Sequence, residues 1–179
     1  MFEKRISGAL VYSGNFLKVQ KDTIETSKGV VATREFIRHP GASLVIPILA
    51  SGDLVMMNQY RYAPGRAYLE FPAGKLDPGE TPEQTALREL QEEVQYTAKK
   101  LRKLTQIDPC IGYSDEVIHL FVAEGLSVFV AQSDPDEVIE PLTLSPRALR
   151  ERLFQHEIPD VKTQVAAWWY LREAGLLGE

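Results

Sequence analysis

Soft metal ligands are scarce in this sequence: it has one cysteine, Cys110, and three scattered histidines, His39, His119 and His156. A single cysteine excludes an internal disulfide framework and leaves too few sulfurs for a structural zinc site. It fits a reducing compartment, and the chain reads as cytoplasmic. Long hydrophobic runs are missing as well. The apolar stretch in "MFEKRISGALVYSGNF" is too short for a signal segment, and no window approaches a membrane span, so neither secretion nor insertion is expected. There is no basic run, and the net charge is −5, so no nucleic acid is expected as a partner. The glycine-rich phosphate cradles G-x-x-x-x-G-K-[ST] and G-x-G-x-x-G do not occur. An anionic ligand would have to be neutralised by a metal ion or by a few placed arginines.

What is present suits one globular domain: 179 residues, 44% of them hydrophobic, can bury a substantial core. Residues 9 to 38 read as β-rich segments separated by the turn signals "SGN" and "SKG", which predicts a small antiparallel meander over residues 1–40. In residues 41–179, "SLVIPIL" and "LVMMNQYRY" flank the turn "SGD" and predict a hairpin. "AYLEFPAG" predicts a further short strand, "LRKLTQI" and "EVIHLFVAEGL" two more, and "DPDEVIEPLTLS" an acidic loop entering a strand. Thr81 is placed to cap a helix over Pro82 to Val94, and two more helices follow in "PRALRERLFQ" and "VKTQVAAWWYLREAG". Strands and helices are segregated rather than regularly alternating, which argues for an α+β layered domain.

The densest chemistry lies in "GKLDPGETPEQTALRELQEEV". On a helix, Glu89, Glu92 and Glu93 share one face and repel one another unless a cation sits among them. Arg88 is turned about 100° away and cannot neutralise all three. A charge run is usually a solvated face. Here Leu87, Leu90 and Val94, with Ala86, mark a buried stripe, and a glycine-punctuated loop adds Glu80. Oxygen ligands without a Cys or His cluster select Mg²⁺ or Mn²⁺, ions that share their shell with substrate phosphates.

Read as G-x5-E-x7-R-E-U-x-E-E-x-G-U, with U apolar, the stretch supplies Gly74, Glu80, Arg88, Glu89, Leu90, Glu92, Glu93 and Tyr96. Six fixed charged or glycine matches arise by chance on the order of once in 10⁷ to 10⁸ windows. The pattern resembles the box of the Nudix hydrolases, which cleave nucleoside diphosphates linked to another moiety. Gln95 stands where that box has its second glycine, at a helix C-terminus where a left-handed residue is common. A Gln there is expected to cost roughly 1 kcal/mol or to shift the helix end. The segments "NQYRYAPGRAYLEFPAGKLDPGE" and "IGYSDEVIHLFVAEGL", with "REFIRHPGA", resemble the ADP-ribose pyrophosphatase and nucleoside diphosphate sugar hydrolase branch.

The resemblance implies an α/β/α sandwich with a mixed sheet. It also implies a homodimer through the N-terminal meander, which would contribute to substrate contact. Carried over by residue, Glu89 and Glu93 would be the principal ligands of Mg²⁺ or Mn²⁺, more than one ion, with Glu92 and the Ala73 carbonyl as further ligands and Glu80 and Arg88 in support. Arg61 would face the phosphates or terminal sugar, Glu70 the base or its surroundings, and Arg34 or Arg38 the substrate from the meander. Glu116 would reach the metal site or the dimer seam. The general base would be an acidic residue of "QSDPDEVIE", Glu137 ahead of Glu140, with Glu92 the other candidate catalytic carboxylate. Ile111 stands before Gly112 where ADP-ribose enzymes of this type usually carry proline, so ADP-glucose and GDP- or UDP-sugars compete with ADP-ribose as the expected substrate. The alternatives are a non-catalytic nucleotide-binding regulator on the same fold, and an enzyme for free nucleotides or dinucleoside polyphosphates. The three histidines, Trp168, Trp169, Cys110, and Ser114 with Asp115 are read as structural or surface residues.

Overall fold

The structure, a computed structural model, describes residues 1–131 and 138–178. The chain divides into two compact units, Met1–Gly41 with Asp108–Val117, and Ala42–Ile107 with Ile118–Glu179.

The first unit is an antiparallel sheet of β1 (Glu3–Ser13), β2 (Lys18–Thr26) and β3 (Val31–Ile37), in the order β1-β2-β3. β1 starts well before the expected residue 9, because its pairing with β2 runs from Glu3 opposite Thr26 to Ser13 opposite Lys18. Asp22 of β2 is buried, held by Arg5 Nε at 3.0 Å and Gln20 Nε2 at 2.6 Å. Gly8 lies directly across from it, and a Cβ there would stand 1.8 Å from Asp22 Oδ1. The segment Asp108–Val117 joins this unit through Ile37, whose N–H donates to the Tyr113 carbonyl at 2.8 Å.

The second unit holds β4 (Ala42–Pro47), β5 (Leu54–Arg61), β6 (Arg66–Glu70), β7 (Ala73–Lys75), α1 (Pro82–Val94), β8 (Tyr96–Ile107), β9 (Ile118–Val128), β10 (Ile139–Leu144), α2 (Pro146–Phe154) and α3 (Val161–Glu173). A four-stranded mixed sheet has the order β7-β4-β9-β8, with β4 and β9 parallel; a three-stranded antiparallel sheet has the order β10-β5-β6. All six residues of β4 are buried, as expected for a strand covered on both faces. Its two faces feed two cores. Val45 packs with Val55, Met57, Phe121, Ala123 and the Ala86, Leu90 and Val94 stripe of α1. Leu44 and Ile46 pack with Leu120, Val122 and, from α2 and α3, Leu149, Leu153, Ala166, Ala167 and Leu171. Helices on both faces of a mixed sheet make the expected α+β arrangement, the α/β/α sandwich.

Two local expectations need correction. β4 and β5 do not form a hairpin within one sheet. The turn closes with one bridge, Ile48 to Leu54, and a Leu49 N–H to Asp53 carbonyl bond of 2.8 Å, after which the strands part. With both faces of β4 buried, its edges go to β7 and β9, and β5 takes β6 and β10 instead. Nor is "AYLEFPAG" one strand. It breaks at Phe71–Pro72 and passes from one sheet to the other, because Pro72 has no N–H to give to a ladder.

Candidate functional site

α1 begins where the sequence predicts. Thr81 Oγ1 accepts from the Gln84 N–H at 3.3 Å, Gln84 Oε1 accepts from the Thr81 N–H at 2.8 Å, and Pro82 opens the first turn. Ser43 Oγ donates to the Pro82 carbonyl at 2.8 Å and ties that turn to β4. Leu87, expected in the apolar stripe, is only half-buried; the stripe is Ala86, Leu90 and Val94. Alongside it Glu89 and Glu93 are buried, 8% and 6% exposed. Glutamates on an ordinary solvated helix face are not buried in this way, since stripping water from an ionised carboxylate costs several kcal/mol unless partners replace it.

The partners come from Arg88 and from β7. Arg88 Nη1 donates to Glu89 Oε1 at 2.7 Å and to Glu92 Oε2 at 3.1 Å, while Nε and Nη2 each donate to Glu80 at 3.0 Å. A further Nη2 bond of 3.0 Å to the Lys75 carbonyl fixes the guanidinium against the end of β7. The long side chain thus overcomes the 100° offset and reaches two of the three helix carboxylates. Glu93 is held separately, its Oε2 accepting from the Ala73 N–H at 2.8 Å. Gly74 makes room for Glu89: a Cβ there would lie 1.8 Å from Glu89 Oε1 and 2.2 Å from its Cδ. Only glycine permits that approach of strand to carboxylate.

Gln95 resolves the departure at the helix end. It takes the left-handed conformation, φ 60° and ψ 37°, so the helix ends where a glycine would end it. Its side chain offsets the strain: Nε2 donates to the Gln91 and Glu92 carbonyls at 3.3 Å, and Oε1 accepts from the Ala131 N–H at 3.0 Å. A cleft of about 460 Å³ opens over these groups, lined by Ala73, Gly74, Lys75, Asp77, Arg88, Glu89, Glu92, Glu93, Gln95, Ile139 and Pro141. Lys75, Asp77 and Gln95 were not among the expected site residues; Gln95 was legible only as a departure from the box.

The other expected residues fall in different surroundings. Glu80 joins the cleft through Arg88 and accepts from Thr85 Oγ1 at 2.8 Å. Arg61 and Glu70 form a bidentate pair, Nε to Oε1 at 2.8 Å and Nη2 to Oε2 at 2.7 Å, and neither lines that cleft. Glu140 is exposed on β10 and alternates with Ile139 and Pro141, the two residues of that strand that do line it. Glu137 lies outside the described residues, as do Asp134 and Asp136. Arg34, Arg38 and Glu116 belong to the first unit, where Arg34 pairs with Glu3, Arg38 with Asp115 at 2.8 Å, and Glu116 with His39 at 3.6 Å. His39 is a packed residue, its Nδ1 accepting from the Gly41 N–H at 3.1 Å and its ring edge-on to Phe16. Among the described residues, no three His, Cys, Asp or Glu side chains converge as ligands of one ion; the helix carboxylates turn to Arg88 and the Ala73 N–H.

The hydrogen bonds from Arg88 pull Glu80 from an ordinary 4.5 down to about 2, with Thr85 and the Asp77 N–H adding to the effect against partial burial. A carboxylate whose pKa is lower folded than unfolded stabilises the protein above the unfolded value and loses that contribution as pH falls through the folded one. Without added metal, Glu80→Gln is expected to lose about 1–2 kcal/mol at neutral pH in urea titrations. The gap to the unsubstituted protein should close between pH 4.5 and about 2. A gap constant over that window would remove Glu80 from the network.

A NUDIX domain profile matches residues 37–164. An ADP-ribose pyrophosphatase of Bacillus subtilis (strain 168) is 38% identical over 175 residues, covering 96% of this chain and 95% of the relative. A methanol dehydrogenase activator of Bacillus methanolicus is 39% identical over the same length and coverage. An ADP compounds hydrolase crystal structure superposes with a TM-score of 0.86 over 99% of this chain and 98% of that one, at 22% identity, a likeness of fold.

Proposed function

Since the chain belongs to the Nudix family and is a Nudix pyrophosphatase, we propose that it hydrolyses the diphosphate bond of a nucleoside diphosphate sugar, ADP-ribose or a related compound, to a nucleoside monophosphate and a sugar phosphate. The observation that carries this reading is the burial of Glu89 and Glu93 beside Gly74, whose missing Cβ leaves the space that Glu89 fills. The donor set fits Mg²⁺ or Mn²⁺: hard carboxylate oxygens of Glu89, Glu92 and Glu93 and the backbone of Ala73, with no sulfur or imidazole among them. More than one ion would suit the number of carboxylates. The chemistry such ions supply is neutralisation of the diphosphate and a lowered pKa for water.

The chain's own residues then divide the remaining work. Arg88 holds Glu89 and Glu92 while Glu80 holds Arg88, a network from which bound ions would draw the ligand oxygens. The Ala73 N–H holds Glu93 from the opposite side. Arg61, gripped by Glu70, presents a planar guanidinium suited to phosphate or the terminal sugar. Glu137 takes the proton from the attacking water, with Glu92 and Glu140 the other candidate bases. Arg34, Arg38 and Glu116 act from the first unit on substrate or at a dimer seam. The cytoplasm, a reducing compartment, suits the free thiol of Cys110.

The rival reading, a nucleotide-binding regulator without turnover, has the name of the Bacillus methanolicus relative in its favour and the full set of box carboxylates against it. With Mg²⁺ and a panel of ADP-ribose, ADP-glucose, GDP- and UDP-sugars, free nucleotides and dinucleoside polyphosphates, the diphosphate sugars are expected to turn over fastest. Glu93→Gln should lose at least about 10²-fold in kcat while keeping its fold by circular dichroism. Tight binding with no hydrolysis of any compound would favour the regulator.

A homodimer through the first unit is part of the same proposal. It is supported by β1, where no residue is buried and Ile6, Leu10, Val11 and Tyr12 are exposed. Light scattering should give twice the chain mass of 20.1 kDa, and Leu10→Glu should halve it. A monomer at all concentrations would end that part.

A further inference from the structure

Beyond the cleft, the most buried carboxylate among the described residues of the second unit is Glu70, 1% exposed. Burial of that degree demands compensation, and it comes from two cations at once. Arg61 takes both oxygens, and Lys162 Nζ bonds Glu70 Oε2. Lys162 is itself steered by Asp160, whose Oδ2 lies 3.0 Å from Nζ and which also caps α3 by accepting from the Thr163 N–H at 3.0 Å. One residue on, Thr163 Oγ1, fully buried, accepts from the Phe71 N–H at 3.3 Å. The start of α3 therefore grips Glu70 and Phe71, the residues that lead through Pro72 into Ala73 and Gly74 of the cleft.

We propose that Lys162 is a positioning residue for substrate binding: it shares the charge of Glu70, so that Arg61 is held in place by that carboxylate without being neutralised by it. This rests on the reading of Arg61 as the arginine for an anionic substrate. The four groups Arg61, Lys162, Glu70 and Asp160 carry two positive and two negative charges. Deleting Lys162 leaves a net negative cluster around the guanidinium, and Glu70 then claims the whole of the Arg61 charge. Of the five N–H donors of Arg61, Glu70 occupies Nε–H and one on Nη2. The rest find no other partner among the described residues, which is the arrangement a guanidinium needs to keep donors for a phosphate. Arg61 also senses Glu93 electrostatically, which ties it to the carboxylates of the cleft. The sequence signal for Lys162 was slight: an Asp at a helix N-cap followed two residues later by a lysine.

The test compares Lys162→Met, Lys162→Arg, Arg61→Ala and the Lys162→Met/Arg61→Ala double variant, on ADP-ribose with Mg²⁺. Lys162→Met is expected to raise KM about tenfold with kcat little changed, and Lys162→Arg to restore KM. In the double variant KM should be no higher than in Arg61→Ala alone, because both changes disable one element. Loss of stability alone would lower the active fraction and leave KM where it was. A second readout needs no turnover: the Arg61 Nε–H resonance in the ¹H–¹⁵N spectrum should be sharp and exchange-protected in the unsubstituted protein and shifted or broadened in Lys162→Met. An unchanged KM with an unmoved resonance overturns the proposal while leaving the hydrolase reading intact. If the unsubstituted protein cleaves no diphosphate sugar, that reading fails instead, and the resonance still decides for or against the Lys162 clamp.

Discussion

Everything in the second unit's cleft depends on how one helix tolerates carboxylates crowded against an apolar stripe. Two like charges about 5 Å apart repel by about 3 kcal/mol at an effective dielectric near 20, a large part of the 5–15 kcal/mol by which a domain of this kind is stable. Arg88 answers part of this by bringing a single positive charge to Glu80, Glu89 and Glu92. The backbone answers another part, since the Ala73 N–H bonds Glu93. The lining of the cleft carries Asp77, Glu89, Glu92 and Glu93 against Lys75 and Arg88. A negative excess of that kind suits cations of higher charge, as the proposed reaction requires.

That arrangement requires the strand before the helix to come unusually close. β7 can approach Glu89 only because position 74 has no side chain, and β7 is delivered there by the Phe71–Pro72 break that carries the chain from one sheet to the other. Thr163 and Lys162 fasten the near side of that break, and Ser43 fastens the first turn of α1 on the far side. The consecutive spans of β6, β7 and α1 are thus fastened to β4 and α3, distant in sequence, by named hydrogen bonds, and β10 completes the lining of the cleft.

Much of this was legible before any coordinates. The box spacing singled out Gly74, Glu80, Arg88, Glu89, Glu92 and Glu93, and Thr81 with Pro82 marked the start of α1, because such signals are local and depend on few neighbours. The sheet partners of β4 and β5 were not legible. Two apolar runs around a tight turn look alike whether they pair with each other or with strands 76 to 90 residues away. Arg88 was expected to serve fewer than all three helix carboxylates, and it bonds Glu89 and Glu92 while Glu93 takes the Ala73 N–H. Lys162 was missed because ion pairs between distant elements leave no periodic trace. Gln95 was expected to cost about 1 kcal/mol or to shift the helix end; it keeps the left-handed end, and the side-chain bonds that let a glutamine occupy it emerged only from the structure.

The central claim is that the space left by the absent Cβ at Gly74 exists so that Glu89 can serve as a ligand of divalent ions. Gly74 has ordinary backbone angles, so alanine there adds a methyl group without backbone strain. Mn²⁺ binding by electron paramagnetic resonance, on the unsubstituted protein and on Gly74→Ala, measures the claim directly. Affinity about tenfold or more weaker in Gly74→Ala, with the fold retained by circular dichroism in the absence of metal, is the predicted result. Equal Mn²⁺ affinity in the two proteins would contradict it.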